Sequence, residues 1–181
     1  MRLTERAQLR LAPLLGDGDI AIDATAGNGW DTAFLLKCVA PAGRVYAIDV
    51  QPQALEKTRE RISTLAGHEN VELICGSHAG LAGLVPDRYR GRIQAVMFNL
   101  GYLPHGDHAM ITAARSTLAA LNAARDILAP DGAISILAYP GHPGGLEETH
   151  AVAGWVERSA MRVAHHEHTP VGPVLWLLRP K

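Results

Sequence analysis

An α/β fold built on a doubly wound, mostly parallel sheet is what this chain predicts, and three observations carry the prediction. Short apolar runs alternate with amphipathic ones from residue 20 onward, a glycine pair directly follows the first of those runs, and the last two runs have no helical stretch between them. The 181 residues, 48% of them hydrophobic, suffice for one compact domain, and neither an internal repeat nor a Pro- or Gly-rich linker divides them. We therefore expect a single domain over residues 1–181, with a helix over 3–15 ahead of the repeat.

The elements follow in order. Leu3 to Leu15 has helical spacing, with Thr4 as a cap and Gly16 to Gly18 closing it. Ile20 to Ala24 reads as strand, Asp31 to Val39 as helix, Val45 to Asp49 as strand and Pro52 to Ala66 as helix. In that second helix Leu55, Ile62 and Leu65 share a face, Glu56, Lys57, Glu60 and Arg61 point away, and Pro52 suits the first turn. Val71 to Cys75 and Gln94 to Asn99 are the third and fourth strands. Met110, Ala114, Leu118, Leu121 and Leu128 recur at helical spacing before a turn at Pro130-Asp131-Gly132. Ala133 to Tyr139 is the fifth strand, Leu146 to Arg158 a helix, and Arg162 to Thr169 with Val174 to Leu178 an antiparallel hairpin, which gives seven strands with helices on both faces.

Composition removes several classes. Charged residues are 19%, Lys plus Arg (17) nearly balances Asp plus Glu (18) for a net charge of -1, and no tract is of low complexity, which excludes a disordered, collagenous or coiled-coil chain. No uncharged apolar run reaches the roughly 20 residues a bilayer requires, and Met1-Arg2-Leu3-Thr4 leads into Glu5 and Arg6, so no membrane span and a cytoplasmic location are expected. Cys38 and Cys75 match no zinc spacing and read as buried thiols. His165, His166 and His168 alternate on a strand without a carboxylate or Cys partner at a recognised spacing, so no metal site is expected. Arg2, Arg6 and Arg10 form a basic stripe on the first helix, equally consistent with RNA phosphates and with a solvated face.

A doubly wound sheet binds ligands beyond the carboxyl ends of its strands, and the polar residues gather there: Asp23 to Gly29, Asp49-Val50-Gln51, Gly76-Ser77-His78, Asn99 to Tyr102 and Tyr139 to His142. Gly27 and Gly29 after the first strand allow a tight turn and close backbone approach by a ligand. A dinucleotide fingerprint would need glycine where Thr32 stands, which weakens a nicotinamide or flavin reading. Asp49, 20 residues after Gly29, has the spacing of a carboxylate that accepts from ribose hydroxyls. Asp23 would repel a diphosphate and attract the ammonium and sulfonium charges of S-adenosylmethionine. An ordinary strand-to-helix turn, and a helix cap at Asp49 ahead of Pro52, are the competing readings.

DATAGNG followed by the acid of the second strand resembles motifs I and II of class I S-adenosylmethionine-dependent methyltransferases. More narrowly, DATAGNGWDT, AIDVQ, GSHAGL, FNLGYLPHGDH and YPGHPGG, in this order, resemble the YtqB-like family, from about residue 4 to the C-terminus. The resemblance implies a Rossmann-like class I methyltransferase fold and S-adenosylmethionine as cofactor. It further implies, as substrate, the aminomethyl group of 5-aminomethyluridine, thiolated or not, at the tRNA wobble position, with the anticodon stem-loop as partner and a homodimer as assembly. One stretch departs: His168-Thr169-Pro170-Val171-Gly172-Pro173 stands where family members carry Asn followed by Pro-Pro.

Asn99-Leu100-Gly101-Tyr102 occupies the place of the Asn-Pro-Pro-Tyr of amino-group methyltransferases. The Asn99 side-chain oxygen and the Leu100 carbonyl can each accept an N–H of an amine, aiming its lone pair at a methyl carbon, while Gly101 admits the acceptor and Tyr102 offers a stacking face. A loop cap at Asn99 and a core aromatic at Tyr102 remain the alternatives. The expected catalytic set is Asn99, Tyr102, Tyr139 and His142, with Asp107 or His108 behind them. The expected cofactor set is Asp23, Thr25, Gly27, Asn28, Gly29, Asp31, Thr32, Asp49, Gln51, Ser77, His78 and Asn99. Methylation of rRNA or of a small amine, and a non-catalytic cofactor-binding module, are the other functions compatible with these residues.

Overall fold

The computed structural model describes residues 1–101, 114–169 and 172–181. The strands are β1 (Ile20–Asp23), β2 (Arg44–Asp49), β3 (Val71–Cys75), β4 (Ile93–Leu100), β5 (Leu128–Ala138), β6 (Arg162–His168) and β7 (Val174–Arg179), and the helices are α1 (Leu3–Leu11), α2 (Trp30–Val39), α3 (Pro52–Ile62), α4 (Leu81–Leu84), α5 (Ala114–Ile127) and α6 (Gly145–Arg158). The sheet runs β3-β2-β1-β4-β5-β7-β6. Its strands pair in parallel except at β5–β7 and β6–β7. This is the Rossmann-like class I methyltransferase arrangement, and its order reverses between β1 and β4, where the carboxyl ends of two neighbouring strands open a crevice.

Strand alternation divides the core between the two faces. Ala21, Ala95 and Met97 pack with Leu11, Leu35, Leu36 and Val39 of α1 and α2. Ile22, Val96 and Phe98 pack with Leu121, Ala124, Trp155 and Val156 of α5 and α6. Because each face is fully covered, a one-residue slip of β1 or β4 would exchange the two sets, so the register of the strands that frame the crevice is fixed by packing.

Several boundaries differ from expectation. The first helix ends at Leu11 and tightens into a 3₁₀ turn over Ala12–Leu14 that accommodates Pro13. Its N-terminus is held by Glu5, whose carboxylate accepts the Arg2 N–H at 3.0 Å, and Thr4 lies inside the helix rather than capping it. The third predicted helix, α3, stops at Ile62, four residues early, and Leu65 N–H then donates to the Ile62 carbonyl at 2.8 Å in a turn. β5 begins at Leu128, before the Pro-Asp-Gly sequence: Leu128 pairs with Ile93 and Ala133 with Ala95, so the four residues between are looped out within the strand. A Cβ at Gly132 would lie 2.8 Å from the Ile93 carbonyl, which explains glycine there. Met110 lies outside the described residues. Cys75 is exposed and Cys38 half-buried, because β3 is an edge strand and Cys75 ends it. No described helix is long and apolar enough to cross a membrane.

Candidate active site

The loop after β1 is shaped by two glycines in the left-handed region, Gly27 at φ 53° and Gly29 at φ 77°. A Cβ at Gly29 would stand 2.8 Å from the Cα of Thr58, so only glycine lets α3 pack this close. α3 also grips the loop from outside. Thr58 Oγ1 donates to the Gly27 carbonyl at 3.3 Å, Arg61 Nε donates to the Asn28 carbonyl at 2.6 Å, and the Arg61 guanidinium lies 3.3 Å from the ring centre of the exposed Trp30. From β2, the Asp49 carboxylate accepts the Gly27 N–H at 2.8 Å and the Gln51 N–H at 2.9 Å. Each of its oxygens keeps a lone pair for a further donor.

Two more carboxylates lie behind and beside this loop. Asp23 is fully buried and accepts the Thr25 N–H at 3.2 Å and the Thr32 hydroxyl at 2.6 Å. Burial first, and the nearby Asp31 second, push its carboxyl up to about 7. Asp31 is itself pushed up by burial, a rise opposed by hydrogen bonds from Gln8 at 2.7 Å and Asn99 at 3.4 Å.

At the end of β4, the Asn99 N–H donates to Thr25 Oγ1 at 2.8 Å. The Leu100 carbonyl accepts the Tyr139 N–H at 3.2 Å, which leaves it one lone pair, enough for the single N–H expected of it. A Cβ at Gly101 would sit 3.5 Å from the Tyr139 ring, an ordinary contact, so no atom of the described residues demands glycine there. Burial, followed by the charge of Asp31, raises the Tyr139 phenol, which makes it a donor rather than a base. His142 Nδ1 donates to the Pro143 carbonyl at 3.0 Å, and Gly145 lets α6 begin against the Tyr139 carbonyl, 2.4 Å from where a Cβ would be. His78 is buried with its ring edge toward Phe98, and burial lowers its basicity. Its Nε2 finds no hydrogen-bond partner among the described residues.

These groups surround one cavity of about 1030 Å³. The family described as "Putative rRNA methylase" matches residues 45–170, more than half of the chain. The chain belongs to this rRNA methylase family. It is 42% identical, over 83% of its length, to a protein of Arabidopsis thaliana named tRNA (mnm(5)s(2)U34)-methyltransferase, chloroplastic, and spans 57% of that relative. Among solved structures it is similar to an rRNA methylase of Clostridium thermocellum, described as putative, with TM-score 0.89, 31% identity and 97% and 96% of the two chains covered. It is also similar to a "putative methyltransferase" of Streptococcus mutans in complex with SAH, with TM-score 0.85, 35% identity and 98% and 97% covered.

In this family member the expected cofactor residues divide. Thr25, Gly27, Asn28, Asp31, Asp49 and Gln51 line the cavity, as do Ser77, His78 and Asn99. Asp23, Gly29 and Thr32 stand behind its wall: Asp23 is fully buried and bonded to Thr25 and Thr32, so its carboxylate does not reach the cavity. Ser77 Oγ accepts the Ala79 N–H at 3.2 Å and starts the turn that carries His78. Of the expected catalytic residues, Asn99, Tyr139 and His142 line the cavity, and Tyr102, with Asp107 and His108, lies outside the described residues. Gly172 and Pro173 from the departing stretch also reach the wall.

Sequence reasoning missed Gln8, Trp30 and Arg61. Gln8 sits on α1, outside the βαβ repeat, and its single polar side chain gives no signal in one sequence. The Arg stripe is not uniform, since Arg2 lines the cavity and Arg6 is ion-paired with Glu167. His166 stacks on Trp176 while His165 meets Glu167 at 3.3 Å. Among the described residues no group of three or more His, Cys, Asp or Glu could hold a metal ion.

Proposed function

We propose that this chain is an S-adenosylmethionine-dependent N-methyltransferase that methylates the aminomethyl group of 5-aminomethyluridine, thiolated or not, at the tRNA wobble position. One observation carries the reaction class: Asn99, a side chain suited to an amine, shares a single cavity with Asp49 and the Gly27 loop, which suit a nucleoside. The substrate follows from the Arabidopsis relative, whose name specifies tRNA. Because that relative aligns with 83% of this chain, tRNA is favoured over rRNA and over a small amine.

The residues fit the cofactor. Asp49 has lone pairs left for ribose hydroxyls, the orphaned Nε2 of buried His78 suits the edge of a purine, and Asp23 with Asp31 favours a cation. When bound, the cofactor supplies an electrophilic methyl carbon. Asn99 Oδ1 accepts one N–H of the substrate amine and so aims the nitrogen lone pair. Desolvation beside the cofactor's sulfonium charge would favour the neutral amine over its ammonium form, while Tyr139 and His142 shape the acceptor side. We propose that residues 1–181 work as a single domain, in a cytoplasmic homodimer, on the anticodon stem-loop.

The test incubates the protein with methyl-labelled cofactor and tRNA from cells lacking the activity, then digests the tRNA to nucleosides. Labelled 5-methylaminomethyluridine or its 2-thio form is expected. Cofactor binding with no label in tRNA would reject the substrate, and purified rRNA and small amines run in parallel would identify the alternative.

A further inference from the structure

Asn99 is held at its backbone from two sides. Its N–H donates to Thr25 Oγ1 at 2.8 Å, and its place in β4 is paired with Leu137 of β5. The freedom left to it is rotation of the side-chain amide. An amide turned by half a circle would present its NH₂ to an incoming amine and donate to the lone pair, which would then be engaged rather than aimed at the methyl carbon. Asp31 decides between the two orientations. Its Oδ2 accepts the Asn99 Nδ2 at 3.4 Å, and an ionised carboxylate can only accept, so the nitrogen faces Asp31 and Oδ1 is turned away from it. The 3.4 Å contact is long for a hydrogen bond, so the carboxylate must itself be steadied to hold it. Gln8 does this, donating its Nε2 to the other oxygen, Oδ1, at 2.7 Å from across the cavity wall on α1.

We propose that Gln8 and Asp31 are positioning residues for the transfer step, Gln8 fixing the Asp31 carboxylate and Asp31 fixing the polarity of the Asn99 amide. This role differs from direct contact with the cofactor, and it deepens the function proposed above, on whose amine acceptor it rests. Asp31→Asn keeps the shape but offers either end of an amide to Asn99, so polarity is no longer enforced. At saturating cofactor it should lower kcat about 10- to 100-fold, apart from any loss of cofactor affinity through the missing charge, and Gln8→Ala should lower kcat about 3- to 10-fold.

The deciding measurement is a double-mutant cycle. If Asp31 acts through Asn99, Asp31→Asn adds nothing to Asn99→Ala, whereas full additivity overturns the proposal. A second readout needs no RNA: the side-chain ¹⁵N–¹H₂ signals of Asn99, assigned by their disappearance in Asn99→Ala, should move in Asp31→Asn and in Gln8→Ala. Unmoved signals overturn the relay whatever the acceptor is. Wild-type protein that binds cofactor but leaves tRNA unmethylated overturns the proposed function instead, and the relay is then judged by the amide signals. Should Asp31→Asn fail to fold, Gln8→Ala carries both readouts and its own cycle with Asn99→Ala.

Discussion

The hydroxyl oxygen of Thr25 accepts the backbone N–H of Asn99 at 2.8 Å, which ties the loop after β1 to the end of β4 where the sheet changes direction. One bond thereby couples the two sides of the cavity to which we assign the cofactor and the acceptor. Thr25→Val keeps the volume and removes the acceptor, stranding a part-buried N–H at a cost of about 1–3 kcal/mol. A fall in melting temperature of about 2–8 °C is expected, with reduced turnover. Thr25→Ser should recover both, and a Val variant indistinguishable from Ser by thermal denaturation would show that the tie does not matter.

Asn99 and Asp49 should fail in different ways. Asn99→Ala is expected to lower kcat about 100-fold with cofactor affinity within about 3-fold. Asp49→Ala should weaken cofactor binding about 10- to 100-fold, because it loses ribose contacts and releases the Gly27 and Gln51 amides that shape the loop. Calorimetry paired with steady-state kinetics separates the two, and parallel losses in both constants would contradict the division.

Cofactor binding should depend on pH through Asp23, which burial and Asp31 push from 3.8 up to about 7. A cationic ligand favours the ionised form, so binding releases a proton near neutrality and affinity rises between pH 6 and pH 8 before levelling off. The stability term has the opposite sign. With the folded-state pKa raised, the folded protein holds the extra proton, so stability from this group falls as pH climbs from about 4 to about 7 and is restored by the ligand. Titrations in buffers of different ionisation enthalpy count the proton, and Asp23→Asn should abolish its release.

Gly29 and Gly101 make a contrasting pair. Gly29→Ala places a methyl 2.8 Å from the Thr58 Cα at a φ of 77°, and should destabilise by about 1–3 kcal/mol or more. Among the described residues Gly101→Ala meets only an ordinary contact with Tyr139, so urea midpoints should barely move. If its turnover nevertheless falls, the approach of the acceptor, rather than the fold, is what requires glycine at 101.

The fold was legible because apolar period and punctuation agree along most of the chain, and the hairpin could be read from the missing helix between 162 and 178. The β5 start was not, because Pro130-Asp131-Gly132 is genuine turn chemistry that the strand absorbs as a bulge. Three residues that line the cavity were legible: Gly27 from the glycine pair, Asp49 from its spacing and Asn99 from its place at the end of the fourth strand. What spacing cannot show is which lone pairs neighbours already occupy: the Leu100 carbonyl is partly taken by Tyr139, and Asp23 is closed off by Thr25 and Thr32. The part played by Gln8 depends on where α1 docks, a tertiary fact with no local signature.

That docking bears on how relatives can be recombined. A chimera that transplants the alternating strands and helices from residue 20 onward, but keeps a foreign leading helix, would retain the glycine turn and the strand-two acid yet lose the partner of Asp31. Grafts between homologues should therefore carry residues 2–11 together with the sheet, since the first helix is a working piece of the pocket and not packaging around it.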